Sequence, residues 1–123
     1  VNPRDYGTYS NLIHTYSRKK EAEKIVATID KGLEQFPGDA ELILERANFH
    51  FKLKNYEIAM TEFEKYFQVE GDSIYDLVMN YGISTYFSND EDKALVIFGD
   101  LYRANPNDPF VLYYLSKFML KPS

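Results

Sequence analysis

The chain has 123 residues, 45% hydrophobic and 16% aromatic, with no cysteine, no tryptophan and a formal charge of −5. These values exclude a disulfide framework, a thiol nucleophile and Cys-ligated zinc, and they give the wrong charge sign for a phosphate-binding surface. The aromatic content excludes a disordered chain, and no run approaches the roughly 20 apolar residues of a membrane span.

Helix punctuation then divides the chain into seven segments. Asn2-Pro3 opens a helix predicted over 3–17, and a second runs over 20–35 to the stop at Pro37-Gly38. Asp39 caps a third over 40–53, and Asn55 caps a fourth over 56–69 that Gly71 ends. Ser73, with Asp76 three residues on, resembles a capping box for a fifth helix over 74–87. Asn89-Asp90 caps a sixth over 91–104, stopped by Asn105-Pro106, and Asp108-Pro109 opens a seventh over 109–120. No segment alternates with the period of a strand. The expected class is all-α, seven helices arranged as hairpins.

An internal repeat fixes how the hairpins relate. Ala59 and Phe63 recur as Ala94 and Phe98, 35 residues later, and the small residues Ala47 and Gly82 are 35 apart as well. Breakers follow at Gly71 and Pro106. Stepping back places Ile25 and Ile29 in the Ala and Phe slots and Pro37 in the breaker slot. Stepping forward 34 residues from Val78 reaches Leu112 in the last apolar segment.

A helix-turn-helix unit of about 34 residues with this small-x3-aromatic signature resembles the tetratricopeptide repeat. The third repeat matches best, through Val78, Tyr81, Gly82, Thr85, Ala94, Phe98 and Pro106; the second offers Ile43, Arg46, Ala47, His50, Ala59, Phe63 and Gly71. The first is the most divergent, with Tyr9, Leu12, Ile13, Tyr16, Ile25, Ile29 and Pro37, and its Ile13 and Ile25 imply a wider or shifted first hairpin. The resemblance implies one domain over 1–123, with repeats at 6–39, 40–74 and 75–108 and a half repeat or capping helix at 109–123. It implies a right-handed α-solenoid whose first helices line a concave surface that holds peptides or partner proteins.

On that reading the groove residues are Asn48, Phe51, Lys52, Met79, Asn80, Ile83, Tyr86, Phe87, Tyr113 and Tyr114. Some family members grip a C-terminal carboxylate with a basic clamp, but Ser10, His14, Glu45, Asp76 and Asn80 stand at the matching places. An apolar or aromatic-bearing segment suits the groove better. A helix apolar on all sides is usually buried on all sides, so half or more of these side chains are expected in the core. The last helix is apolar nearly all round, which points to further repeats, to self-association through Phe110, Tyr114, Phe118 and Met119, or to a tuck into the chain's own groove. Val1 in place of a start methionine fits a piece of a longer or processed chain.

Catalytic chemistry is not legible. His14 and His50 lack the converging ligands of a metal site, Asn89–Asp92 lacks the glycine and terminal glutamate of a calcium loop, and no nucleophile or phosphate-loop motif occurs. Glu62 and Glu64 read as a solvated surface pair. The Arg18-Lys19-Lys20 run is too short for nucleic-acid binding. The expectation is a non-enzymatic binding scaffold with no catalytic or metal residues and no cofactor. It would bind no nucleic acid and insert into no membrane, and homo-oligomerisation through the last helix is the alternative role. As a soluble chain without cysteine it suits either the cytoplasm or the bacterial periplasm.

Overall fold

A computed structural model describes residues 22–71 and 74–119. Six helices follow one another: α1 (Ala22–Gln35), α2 (Ala40–Lys52), α3 (Tyr56–Glu70), α4 (Tyr75–Phe87), α5 (Glu91–Ala104) and α6 (Pro109–Met119). Among the described residues there is no strand. The helix predicted over 3–17 lies outside them, as do Ile13, on which a wider first hairpin would turn, and Ser73 of the expected capping box.

Local chemistry explains most of the boundaries. The Asp39 carboxylate accepts from Leu42 N at 3.0 Å and so caps α2, and Asp108 accepts from Phe110 N at 2.9 Å at the start of α6. Gly71 ends α3 in the left-handed region, with φ 77°, where a Cβ would be strained. The caps of the other second helices divide differently from expectation. Asp90 accepts from Lys93 N and caps α5, whereas Asn89 takes the left-handed turn before it. Asn55 stands at the start of α3 without a capping bond, and its amide nitrogen lies 3.3 Å from His50 Nδ1. The α4 boundary falls at Ile74, which offers no side-chain cap.

The backbone repeats as the sequence does. Lys54 and Asn89, 35 residues apart, both adopt positive φ, 62° and 65°, in the turns that close α2–α3 and α4–α5. Helices pack chiefly on their neighbours in the chain, α3 against α2 and α4, and α5 against α4 and α6. Two layers result, with α1, α3 and α5 in one and α2, α4 and α6 in the other.

The repeat slots are the core. Ala47, Ala59, Phe63, Ala94 and Phe98 are wholly buried, as is Ile29, and Ile25 is nearly so. A Cβ on Gly82 would lie 2.9 Å from Ile97 Cγ2 and 3.1 Å from Phe98 Cζ. The small slot is therefore what lets α5 lie close against α4. Burying each Phe stabilises by roughly 1.5–3 kcal/mol.

One expectation is overturned. Glu62 is buried rather than solvated, and Glu64 is held between helices. Glu62 accepts from Arg46 Nε at 2.9 Å and from Lys65 Nζ at 3.2 Å, and Arg46 also reaches Asp30 at 3.2 Å, so three helices share one charge network. Glu64 accepts from Tyr81 Oη at 2.7 Å and Lys93 Nζ at 2.8 Å, joining α3 to α4 and α5. A carboxylate this deep needs such partners, because unpaired burial is costly.

His50 faces the first of these networks. Burial is the largest influence and holds its pKa below the ordinary 6.5; the Arg46 charge adds to this, while Glu62 and Asp30 oppose it. The bond from Asn55 Nδ2 also requires the neutral ring as acceptor.

Three outcomes test this packing. Gly82→Leu should lose at least about 1–3 kcal/mol by overpacking, read by urea denaturation. Gly38→Ala, with nothing within 4 Å of the new Cβ, should stay within about 0.5 kcal/mol of the parent. In the third repeat Tyr81 and Ile97 occupy the register of Arg46 and Glu62. Accordingly Glu62→Ile alone should cost about 1–3 kcal/mol, reduced from the fully buried case because Arg46 is partly exposed. The double variant Arg46→Tyr/Glu62→Ile should recover most of that loss. For His50 the sign is fixed: the unfolded chain takes up a proton near 6.5 that the folded chain resists. Its contribution is full above pH 6.5 and falls as the pH drops below it. Denaturation of parent and His50→Phe at pH 7 and pH 5 should show the smaller acid loss in the variant.

Candidate functional site

The side formed by α2, α4 and α6 carries the residues expected in a groove, and packing divides them. Phe51 turns inward against Ala47, Ala59 and Phe63, its ring 6.3 Å from that of Phe63 and 5.9 Å from Tyr56. Met79, Ile83 and Tyr86 pack partly buried against the Ala94–Phe98–Val111 core. Tyr114 stacks on Phe98 at 4.9 Å and 12°, and Tyr86 meets both Tyr114 and Phe118 edge-on. Four of the aromatic side chains in question, Phe51, Tyr86, Tyr114 and Phe118, therefore hold helices together.

The remainder face outward. Phe87 is 48% exposed and stacks on Tyr56 at 4.8 Å, so its ring bridges α4 to α3 while one edge meets solvent. Tyr113 is 54% exposed, with Lys117 Nζ 4.8 Å above its ring, a cation–π contact. Phe110 is 66% exposed. Lys52 is exposed and Asn48 half-buried. Of the residues named for self-association, Phe110 and Met119 are exposed, whereas Tyr114 and Phe118 are packed.

Met79, Asn80 and Phe110 converge on a cleft of about 640 Å³ between the start of α4 and the α5–α6 loop. Tyr75, Asp76, Asn105, Asn107, Asp108 and Pro109 complete its wall. One bond closes its base: Tyr75 Oη donates to Asp108 Oδ2 at 2.7 Å, tying α4 to the cap of α6. Burial first, and that bond second, push the Tyr75 hydroxyl up to about 12. The same bond is the chief cause holding the Asp108 carboxyl below its usual range, with the amides at the start of α6 assisting. The cleft thus combines an apolar side, three amide side chains and two carboxylates. No lysine, arginine or histidine is among the described residues lining it.

Sequence reasoning passed over two further clefts. One, of about 440 Å³, lies where α3, α4 and α5 meet, among Glu64, Phe67, Tyr81 and Asp100. The other, of about 490 Å³, lies between α1 and the end of α2, lined by Val26, Phe49, His50 and Leu53. The only signal for either was His50, read as a packed histidine. Among the described residues no cluster of three His, Asp or Glu side chains could hold a metal ion, and no helix is long and apolar enough to cross a membrane.

No protein-family model matches the sequence, and no curated protein does. Solved structures do match. The second TPR domain of human RPAP3, in complex with the HSP70 peptide SGPTIEEVD, is 18% identical, with a TM-score of 0.71 over 92% of this chain and 93% of that one. The first TPR of Spaghetti (RPAP3), bound to the HSP90 peptide SRMEEVD, is 16% identical, with a TM-score of 0.73 over 95% and 92%. YrrB, a TPR protein with an unusual peptide-binding site, is 25% identical, with a TM-score of 0.75 over 89% of this chain and 56% of that chain. The buried small-x3-aromatic slots, the recurring turns and these superpositions agree: the chain has the tetratricopeptide-repeat fold.

Proposed function

We propose that the chain is a non-enzymatic scaffold that holds a protein or peptide segment along the side formed by α2, α4 and α6. The observation that carries this reading is the 640 Å³ cleft, where Met79 and Asn80 of α4 meet Phe110 of α6. Its apolar wall suits a side chain of the bound segment, and the amides of Asn80, Asn105 and Asn107 suit its backbone. Beyond the cleft, Tyr113 and Phe87 offer exposed aromatic surface on the same layer. The peptide complexes of the RPAP3 domains and the peptide-binding site of YrrB support a peptide as the class of ligand.

The kind of peptide differs. Both RPAP3 ligands, SGPTIEEVD and SRMEEVD, end in the acidic sequence EEVD. Here Glu41, Glu45 and Asp76 lie on α2 and α4, and Asp108 flanks the cleft. These charges repel such a tail. The ligand is a segment with apolar or aromatic side chains and without an acidic end.

An arrayed library of 12-residue peptides should return aromatic-bearing, non-acidic binders, with SRMEEVD at least about tenfold weaker than the best of them by fluorescence anisotropy. Phe110→Ser plus Tyr113→Ser should weaken the best binder about tenfold or more without lowering helical content, since both side chains are largely exposed. A preference for acidic tails, or unchanged binding by the double variant, would overturn the groove assignment.

A further inference from the structure

The cleft between the start of α4 and the α5–α6 loop carries charge that nothing among the described residues answers. Its wall holds Asp76 and Asp108 and no lysine, arginine or histidine. Neither carboxylate enters an ion pair within the described residues. The cations of the flanking helices are placed elsewhere: Arg103 of α5 pairs with Asp100, and Lys117 of α6 lies over the Tyr113 ring. Asp108 is held by neutral donors, Tyr75 Oη at 2.7 Å on one oxygen and Phe110 N at 2.9 Å on the other. Its orientation is therefore fixed while its charge remains. Asp76, in the first turn of α4, is exposed. Both carboxylates act on the same Tyr75 hydroxyl, so the two charges share one part of the cleft.

Three helix ends also meet here. The N-termini of α4 and α6 bring about half a positive charge each, and the C-terminus of α5 about half a negative one. Two full carboxylate charges outweigh these, and the cleft is net negative. A wholly apolar segment seated in it would strip water from both carboxylates and return nothing. Beside the carboxylates stand Met79 and Phe110, the latter 66% exposed, which suit the methylene stem of a long cationic side chain.

We propose that the bound segment inserts an arginine side chain into this cleft, its guanidinium donating to Asp76 and Asp108 and its stem lying along Met79 and Phe110. The inference rests on the reading of the cleft as the peptide site and names the side chain that the site selects. Arginine fits better than lysine for two reasons. Each Asp108 oxygen already accepts one bond, and a planar fork of five donors can use a remaining lone pair while also reaching a second carboxylate. The guanidinium is also weakly hydrated and stacks on an aromatic face such as Phe110.

The probe is a set of end-blocked, fluorescein-labelled 12-residue peptides, each made with arginine, citrulline or glutamate at one central position beside a phenylalanine. Citrulline is close to arginine in size and carries no charge. Anisotropy titration with the 123-residue chain should show the arginine version binding at least about tenfold more tightly than the citrulline version, with glutamate weakest. Asp76→Asn should cut the preference for arginine over citrulline at least about threefold, and as an exposed substitution should keep the parent's circular dichroism and melting temperature. Asp108→Asn, which retains a capping side chain, should cut it too. Asp92→Asn removes the same charge at the far end of α5 and should leave the preference unchanged. Equal affinity for arginine and citrulline, a preference that survives Asp76→Asn, or one that Asp92→Asn reduces equally, overturns the proposal. If peptides indifferent to that charge still lose affinity with Phe110→Ser plus Tyr113→Ser, the groove reading stands without it. Binding by no version overturns both.

Discussion

Everything in this molecule depends on two helices being allowed to come close. Ala47 and Gly82 are where that permission is granted, and Phe63 and Phe98 are what fill the space it opens. The phenylalanine of a hairpin is also covered from the next unit. The next first helix completes the enclosure, as Tyr114 does by stacking on Phe98. Burial is therefore shared between consecutive units, and no unit owns its core.

Charge is placed with the same economy. Arg46 and Glu62 in the second repeat stand where the third has Tyr81 and Ile97. One repeat thus closes its hairpin with an ion pair and the next with apolar contact. The exchange is physically reasonable, because a well-bonded buried pair and a packed apolar pair differ little in net free energy while half a pair is expensive. The Glu64–Tyr81–Lys93 cluster then ties consecutive repeats together, since its members come from three helices.

Much of this was legible in the chain, and the residues that were not share a cause. The small and aromatic slots recur at a fixed interval, so Ala59, Phe63, Ala94 and Phe98 could be assigned to the core from spacing alone. The stops at Gly71 and Pro37 could be read because backbone conformation leaves few residue choices there. Glu62 could not. Its partner Arg46 is 16 residues away on the preceding helix, and the periodicity of a single helix says nothing about who faces it. The groove was half legible for a related reason. Sequence showed that α4 and α6 are rich in aromatic residues, but only assembly decides that Tyr86 and Tyr114 turn to each other while Tyr113 turns away. Asn55 shows the limit at a cap: a residue type that favours capping makes no capping bond, and its amide nitrogen contacts His50 instead.

The packing of α6 among the described residues has a thermodynamic consequence. Its backbone packs on α5, and it reaches α4 mainly through Tyr86 and the Tyr75–Asp108 bond. An element held mainly by one neighbour opens locally at a lower cost than global unfolding. The 640 Å³ cleft exists only while α6 is closed, because Phe110 and Asp108 form one of its walls. Occupancy of the cleft is therefore linked to closure of α6, and whatever binds there contributes part of its affinity to holding the last helix down. Amide protection in α6 thus becomes a reporter of ligand that requires no knowledge of what the ligand is.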